Sequence, residues 1–369
     1  MALLPQQFRF WLFDKLSVKT MRYVTAVPRH KATGMLGEAY QQIADDFFIN
    51  GSLTSRSRVP ELLAAIWTAG RETILVSGRL SRTTKEAMTA TLSSINDCPY
   101  CGDMLISLVN AGDEPQAASQ IFNQKEQEIE DEILRDRLLW LRKVATPGES
   151  FPDTMPFEIA DMPEVLGVIM AMSDINRFSH IVMDGSPVTA PFGMQSIKAA
   201  ALKIFAGELR VTHDDALPSG RSFSLLPHAK LSEDFTWAES NQYIAEALAR
   251  WASTVEQQSH AVIPDAVRDL VARNLSQWQN ERMPLSRNWV DEEINGLRDN
   301  ERTLASFALL LAKASYQCDE KLVEDVIKIA GSQENFIRIL AWCSFTAARY
   351  LTAYLAQRII SERDYSDAA

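Results

Sequence analysis

KEAMTATLSSINDCPYCGDML, residues 85–105, is the stretch from which the rest of the chain can be read. Together with the RTT ahead of it, its first part has helical rather than alternating periodicity, and Ser81 stands where an N-cap belongs. Asn96-Asp97 breaks that helix. Pro99 lacks an N–H and has a preset φ, so it suits the first position of a second helix, Cys98 to Val109, closed by Asn110, Ala111 and Gly112. The prediction is a helical hairpin, with Cys98 at the cap of the returning helix and Cys101 one turn in. A thioredoxin-like site would need a strand before the pair, and residues 82–95 read as helix instead.

This placement favours redox chemistry. A thiol is nucleophilic when ionised, and free cysteine has a pKa near ~8.5. Open N–H groups and the dipole at a helix start favour the thiolate. The CxxC spacing lets one sulfur attack and the other close a disulfide. The pair is therefore expected to be open to an oxidant. Two inert, packed thiols are the alternative reading. A zinc site needs about four ligands. The chain has no second CxxC or CxxH, and Cys318 and Cys343 are isolated, so no metal and no cofactor are predicted.

The hairpin also selects a carboxylate. Glu86 lies ten residues before Asn96, about 15 Å from the turn, and position 105 is about 12 Å along the returning helix. The two should face each other. Position 105 also shares a face with Cys101, four residues before it. A His there would bridge Glu86 to Cys101, but the chain has Leu105. The plainer reading of Glu86 is a solvated carboxylate beside Lys85.

Outward from the hairpin the chain stays helical, which makes the expected fold class all-α. Pro60 opens a helix through PELLAAIWTAGRETIL. Further helices are predicted over 120–144, 163–183, 196–205, 241–257, 264–277, 290–295, 301–315, 320–330 and 334–358. Residues 206–236 lack a sustained period and read as connection, and the polar SERDYSDAA end reads as a mobile tail. The Trp residues, Trp11 included, fall at helical core positions.

At 369 residues, two domains are the default expectation. The net charge of -11 and the lack of a basic run argue against nucleic acid. No apolar run approaches the roughly 20 residues that cross a bilayer, and the charged, proline-bearing start is unlike a signal peptide. The expectation is therefore a cytoplasmic protein that needs no membrane. Four cysteines fit a reducing compartment in which any disulfide is transient.

The halves also align with each other. Trp67, Glu72 and Asn96 fall on Trp251, Glu256 and Asn280, separated by 184 positions, and Arg177 falls on Arg349, separated by 172. In this alignment NDCPYC becomes NERMPL at 280–285, so the second copy lacks the chemistry. The recurring arginines are expected to make structural ion pairs at a helix interface.

The motif resembles that of the alkylhydroperoxidase D-like, carboxymuconolactone decarboxylase family: a Glu, a CxxC twelve positions later, and a His four positions after the second Cys. MAMSDINRFSHIVMDGSP (170–187), with Asn176-Arg177, resembles the family's downstream helix, and PDAVRDLVARNLSQW with ERTLASFALLLAKASYQ resembles a degenerate further copy. The resemblance implies a tandem-duplicated helical bundle. Its expected parts are an N-terminal extension (1–54), a catalytic unit (55–190), a connection (191–240), a degenerate unit (241–358) and a tail (359–369). It implies a thiol peroxidase, in which a hydroperoxide oxidises one Cys to a sulfenic acid, the other closes a disulfide, and a thiol or dithiol partner reduces it. It further implies a homo-oligomer. Cys98 and Cys101 become the redox pair and Glu86 the relay carboxylate. Leu105 departs from the pattern, and Asp103 and His180 are the candidate auxiliaries. Because the relay His is missing, two alternatives stand beside the enzyme: a scaffold or redox sensor, and a lactone decarboxylase that does not use the CxxC.

Overall fold

The computed structural model describes residues 20–111, 115–185 and 216–366. The helix expected over 196–205, the first 19 residues of the N-terminal extension including Trp11, the first half of the connection, Gly112 and the last three residues lie outside them. Among the described residues the fold is all-α. The one extended pairing among them is an isolated bridge between Met21 and Met183.

The first part of the chain forms α1 (Gly34–Asp46), α2 (Gly51–Thr54), α3 (Pro60–Gly70), α4 (Arg82–Ile95), α5 (Pro99–Ala111), α6 (Pro115–Phe122), α7 (Glu132–Ala145) and α8 (Met162–Val182). The second forms α9 (Gln242–Ser259), α10 (Asp265–Leu275), α11 (Asn288–Glu293), α12 (Asp299–Lys313), α13 (Glu320–Ala330) and α14 (Gln333–Ser366). α4 starts where its cap predicts, with Ser81 Oγ accepting the Thr84 N–H at 3.1 Å. It stops at Asn96, and Asp97 turns the chain with φ 47°.

Three segments differ from expectation. The helix predicted over 120–144 is broken. Gln124 takes φ 55°, which ends the helical path, and Asp131 restarts it by accepting the Leu134 N–H at 2.8 Å. The helix from Pro60 passes after Gly70 into a π turn, Arg71–Leu75. This wider turn brings both Arg71 and Glu72 into the interior. The last helix runs beyond 358 to Ser366, through residues assigned to the tail.

One hydrophobic core joins both parts of the chain. α3 packs on α9 and α8 on α14; the α4/α5 hairpin rests on α8, and the α12/α13 hairpin on α14. Gly167 lets α8 meet the π turn, because a Cβ there would stand 2.7 Å from Thr73 Cγ2. Residues 280–285, matched with NDCPYC by sequence, form no hairpin turn. They lie in the loop between α10 and α11, where Asn280 O accepts the Gly148 N–H at 2.8 Å. The segment Ile159–Val182 is long and apolar enough to cross a membrane, a length the sequence reading did not find, and 89% of its apolar window is buried inside the protein.

Of the eight tryptophans, Trp67, Trp140, Trp251, Trp278 and Trp342 are buried, as expected of core positions. Arg349 makes the anticipated ion pair, its Nη2 lying 2.7 Å from Asp234 Oδ1. Arg177 does something else: its guanidinium donates to the carbonyls of Leu311 and Ala312, at 3.1 and 2.9 Å, near the end of α12. The α12 end has open carbonyls to satisfy, and a cation suits them.

Buried charge is unevenly spread. Among the described residues, every fully buried charged side chain lies before residue 185: Asp46, Arg56, Arg71, Glu72, Arg82, Lys85, Glu86, Asp103, Glu126, Asp161, Glu164 and Asp174. The second part buries neutral polar groups such as Thr254, Ser259 and Ser344, with the Lys313 side chain, 8% exposed, at its edge.

Candidate active site

The turn into α5 is closed by backbone bonds. Cys98 N–H donates to Ser93 O at 3.1 Å, and Gly102 N–H donates to Cys98 O at 2.8 Å. Cys98 therefore caps the helix and Cys101 stands one turn in. Their Cα atoms are 5.4 Å apart and the two are joined as a disulfide.

The expectation of an open pair is not met, since each cysteine is only 3% exposed. The cover comes from residues 47–53, far away in sequence. Gly51 N–H donates to Tyr100 Oη at 2.7 Å and holds α2 against the CxxC turn. A Cβ there would lie 2.8 Å from that oxygen and closer still to Met183 Cε, so a larger residue would displace one or both side chains. Cys101, Glu86, Tyr100 and Leu105 line one cavity of about 70 Å³, walled by apolar groups that include Phe48, Trp67 and Met172. Cys98 does not line it. The hairpin count thus brought the right positions together: Glu86 and position 105 share a cavity with Cys101.

Glu86 is not a solvated surface residue. It is fully buried, with Arg82 Nε donating to its Oε1 at 2.9 Å from one turn earlier. Its neighbour Lys85 is also buried, donating to Val76 O at 2.8 Å and pairing with Glu164 at 2.7 Å. Burial pulls the Lys85 pKa down, and Glu164 opposes that pull. Glu164 also accepts the N–H groups of Arg79 and Leu80, at 2.7 and 3.1 Å. The start of α4, and with it Glu86, is pinned to the start of α8.

The π turn supplies another part of the cavity wall, through Ile74 and Leu75. Arg71 on the same turn bonds Asp46 and Glu72, both at 2.7 Å. Glu72 accepts the Gly220 N–H at 3.1 Å, and burial pushes its carboxyl pKa up.

The two auxiliary candidates lie apart. Asp103 is buried on α5 and does not line the cavity. His180, on α8, interacts with Asp97 and with the backbone of Ser315 rather than with the cavity; burial holds its imidazole below the usual range. Burial pushes the Cys318 thiol up to about 12 and the Cys343 thiol up as well, so neither is a nucleophile at neutral pH. Sequence reasoning missed Arg82, Tyr100, Gly51 and the Phe47-Phe48 wall. Only Arg82 carried a signal, its spacing of four from Glu86.

The chain is similar to an alkyl hydroperoxide reductase. That protein, from Mycobacterium tuberculosis, is 26% identical over 340 residues, an overlap covering 92% of this chain and 96% of the relative. No protein-family model matches the chain. No solved structure matches it either. The likeness to the mycobacterial reductase extends across both parts of the chain, so it covers the second part as well as the CxxC hairpin.

Proposed function

We propose that the chain is a thiol-dependent peroxidase acting through Cys98 and Cys101. The observation that carries this reading is the shared cavity: Cys101 and the buried Glu86 line it, and Cys98 is bonded to Cys101 without lining it. In the reduced protein, Glu86 accepts the Cys101 proton. The thiolate attacks the terminal oxygen of a hydroperoxide, an S–O bond forms and the O–O bond breaks. Cys98 then attacks the sulfenic sulfur, the S–S bond forms and water leaves. A thiol or dithiol reductant returns the disulfide to two thiols. The apolar walls favour organic hydroperoxides.

The packing also supports reading the two parts as copies of one helical unit. α3 meets α9 and α8 meets α14, and these are the helices that the sequence alignment matches through Trp67 with Trp251 and Arg177 with Arg349. On this reading the α12/α13 hairpin is the counterpart of α4/α5. Cys318 then falls on Cys98 at a separation of 220 positions, which replaces the pairing of NDCPYC with 280–285. The second unit supports the first and does no chemistry. A homo-oligomer of such chains is part of the proposal, and sedimentation velocity tests it.

The deciding experiment is peroxide consumption with a dithiol reductant by wild type, Cys98→Ser and Cys101→Ser. Sustained turnover lost in both variants supports the enzyme. Leu105 and the 3% exposure of the pair favour a second reading, a redox sensor. A single stoichiometric oxidation without turnover selects it.

A further inference from the structure

We infer that Gly70 sizes the cavity for its substrate, leaving room for the unbranched alkyl chain of a short hydroperoxide. This rests on the peroxidase reading and names the substrate class within it.

Glycine inside a helical path is destabilising relative to alanine, so its presence there needs a reason. Two reasons recur among the described glycines: positive φ, as at Gly34 and Gly220, and a neighbour too close for a Cβ, as at Gly51 and Gly167. Gly70 has neither. Its φ of -63° and ψ of -36° are ordinary helical values, and a Cβ there meets no atom within 4 Å.

What Gly70 does have is a place on the cavity wall. It follows Ile66 by four residues and Trp67 by three, a spacing that puts all three on one face of the helix. Ile66, Trp67 and Gly70 all line the cavity, and Ile74 lines it one turn later. A side chain at position 70 would therefore project into the cavity beside them. The open space that a Cβ finds there is cavity, and the missing side chain keeps it open.

The size and lining of that space select the guest. The cavity holds about 70 Å³. An apolar cavity of about 150 Å³ admits benzene, so an aryl group is too large here and a short straight chain is not. Phe48, Leu75, Met104, Leu108 and Met172 are among the walls, so each methylene that enters leaves water for an apolar surface.

The test fills the cavity from Gly70. With a dithiol reductant, kcat/KM is measured for wild type, Gly70→Ala and Gly70→Leu on hydrogen peroxide, n-butyl hydroperoxide and cumene hydroperoxide. Wild type should prefer n-butyl over cumene hydroperoxide by about tenfold or more. Gly70→Leu should lose about 10- to 100-fold on n-butyl hydroperoxide and less than about threefold on hydrogen peroxide, with Gly70→Ala between it and wild type. Equal losses on hydrogen peroxide and n-butyl hydroperoxide, or no loss on either, overturn the assignment. So does a wild type that takes the aryl substrate as readily. Gly70→Ala suits the helical backbone at this position, so it carries the comparison if Gly70→Leu does not fold. A wild type inert to all three oxidants removes the peroxidase reading and Gly70 with it, whereas an active wild type with uniform loss in the variants removes Gly70 alone.

Discussion

The α4/α5 hairpin and the α12/α13 hairpin rest on α8 and α14 in matching ways, yet they are built of different residues. α4 buries Arg82, Lys85 and Glu86 among its apolar side chains. α12 buries Leu304, Ala305, Phe307, Ala308, Leu309, Leu310, Leu311 and Ala312, with no charge among them. Removing an ion from water costs several kcal/mol, and a good partner offsets that only in part. The second hairpin shows that this fold holds without such groups. In the first hairpin they fix positions: Arg82 fixes Glu86, and Lys85 with Glu164 fixes the start of α4. On the proposed function, the charge buried in α4, and the lack of any in the buried residues of α12 and α13, is what distinguishes the working hairpin from the supporting one.

The largest effect that would break this comparison is on rate. Cys101→Ser should lower peroxide turnover by ~1,000-fold or more, and Cys318→Ser should leave it unchanged in the same coupled assay. A loss at Cys318 would mean that the second unit takes part in the chemistry.

Stability comes next. Arg56 and Asp174 form a buried pair at 2.7 Å, with the guanidinium 3.6 Å from the Phe178 ring centroid. Arg56→Met should cost about 3–5 kcal/mol in urea unfolding, because it strands a buried carboxylate. Arg349 and Asp234, about a third exposed at 32% and 30%, pair in the second part. Arg349→Met should cost no more than about 1 kcal/mol. Similar costs would show that the burial asymmetry has no energetic meaning.

A smaller change sharpens the comparison from within the site. Leu105→His places an imidazole on the cavity wall shared by Glu86 and Cys101, and kcat/KM for an organic hydroperoxide should rise about tenfold. An unchanged rate would mean that proton transfer from Cys101 to Glu86 does not limit the reaction.

The smallest effect concerns pH. His180 sits between the Asp97 turn and Ser315, with Arg22 nearby, and burial keeps its imidazole below its usual range. The folded state therefore favours the neutral ring. Its contribution to stability is complete above the unfolded pKa of about 6.5 and is lost as pH falls through the lower folded value. Unfolding at pH 7.5 and 5.5 should show this loss in wild type and a flatter response in His180→Gln.

Much of the helical framework was legible because it is local. Ser81, Pro60 and Pro99 mark helix starts by the chemistry of single residues, and Asn96-Asp97 marks a turn. The hairpin count placed Glu86 opposite position 105 because both helices are regular and the turn is short. The cover over the disulfide was not legible. It comes from residues 47–53, and a helix start reveals nothing about which distant segment folds over it. The break at Gln124 was hidden because the apolar period continues on both sides of it. The sequence alignment of the halves gave no sign that 280–285 form a loop and not a hairpin turn, because it is fixed by residues on either side, Trp67 with Trp251 and Arg177 with Arg349.

The π turn joins two of these observations mechanically. Ile74 and Leu75 wall the cavity, while Arg71 and Glu72, on the same five residues, tie down Asp46 and the Gly220 N–H. The same five residues thus form cavity wall on one side and, on the other, hold the later half of the chain to α1 through Glu72 and Arg71. Wall and fastening cannot be altered independently, since the wider turn sets the position of both.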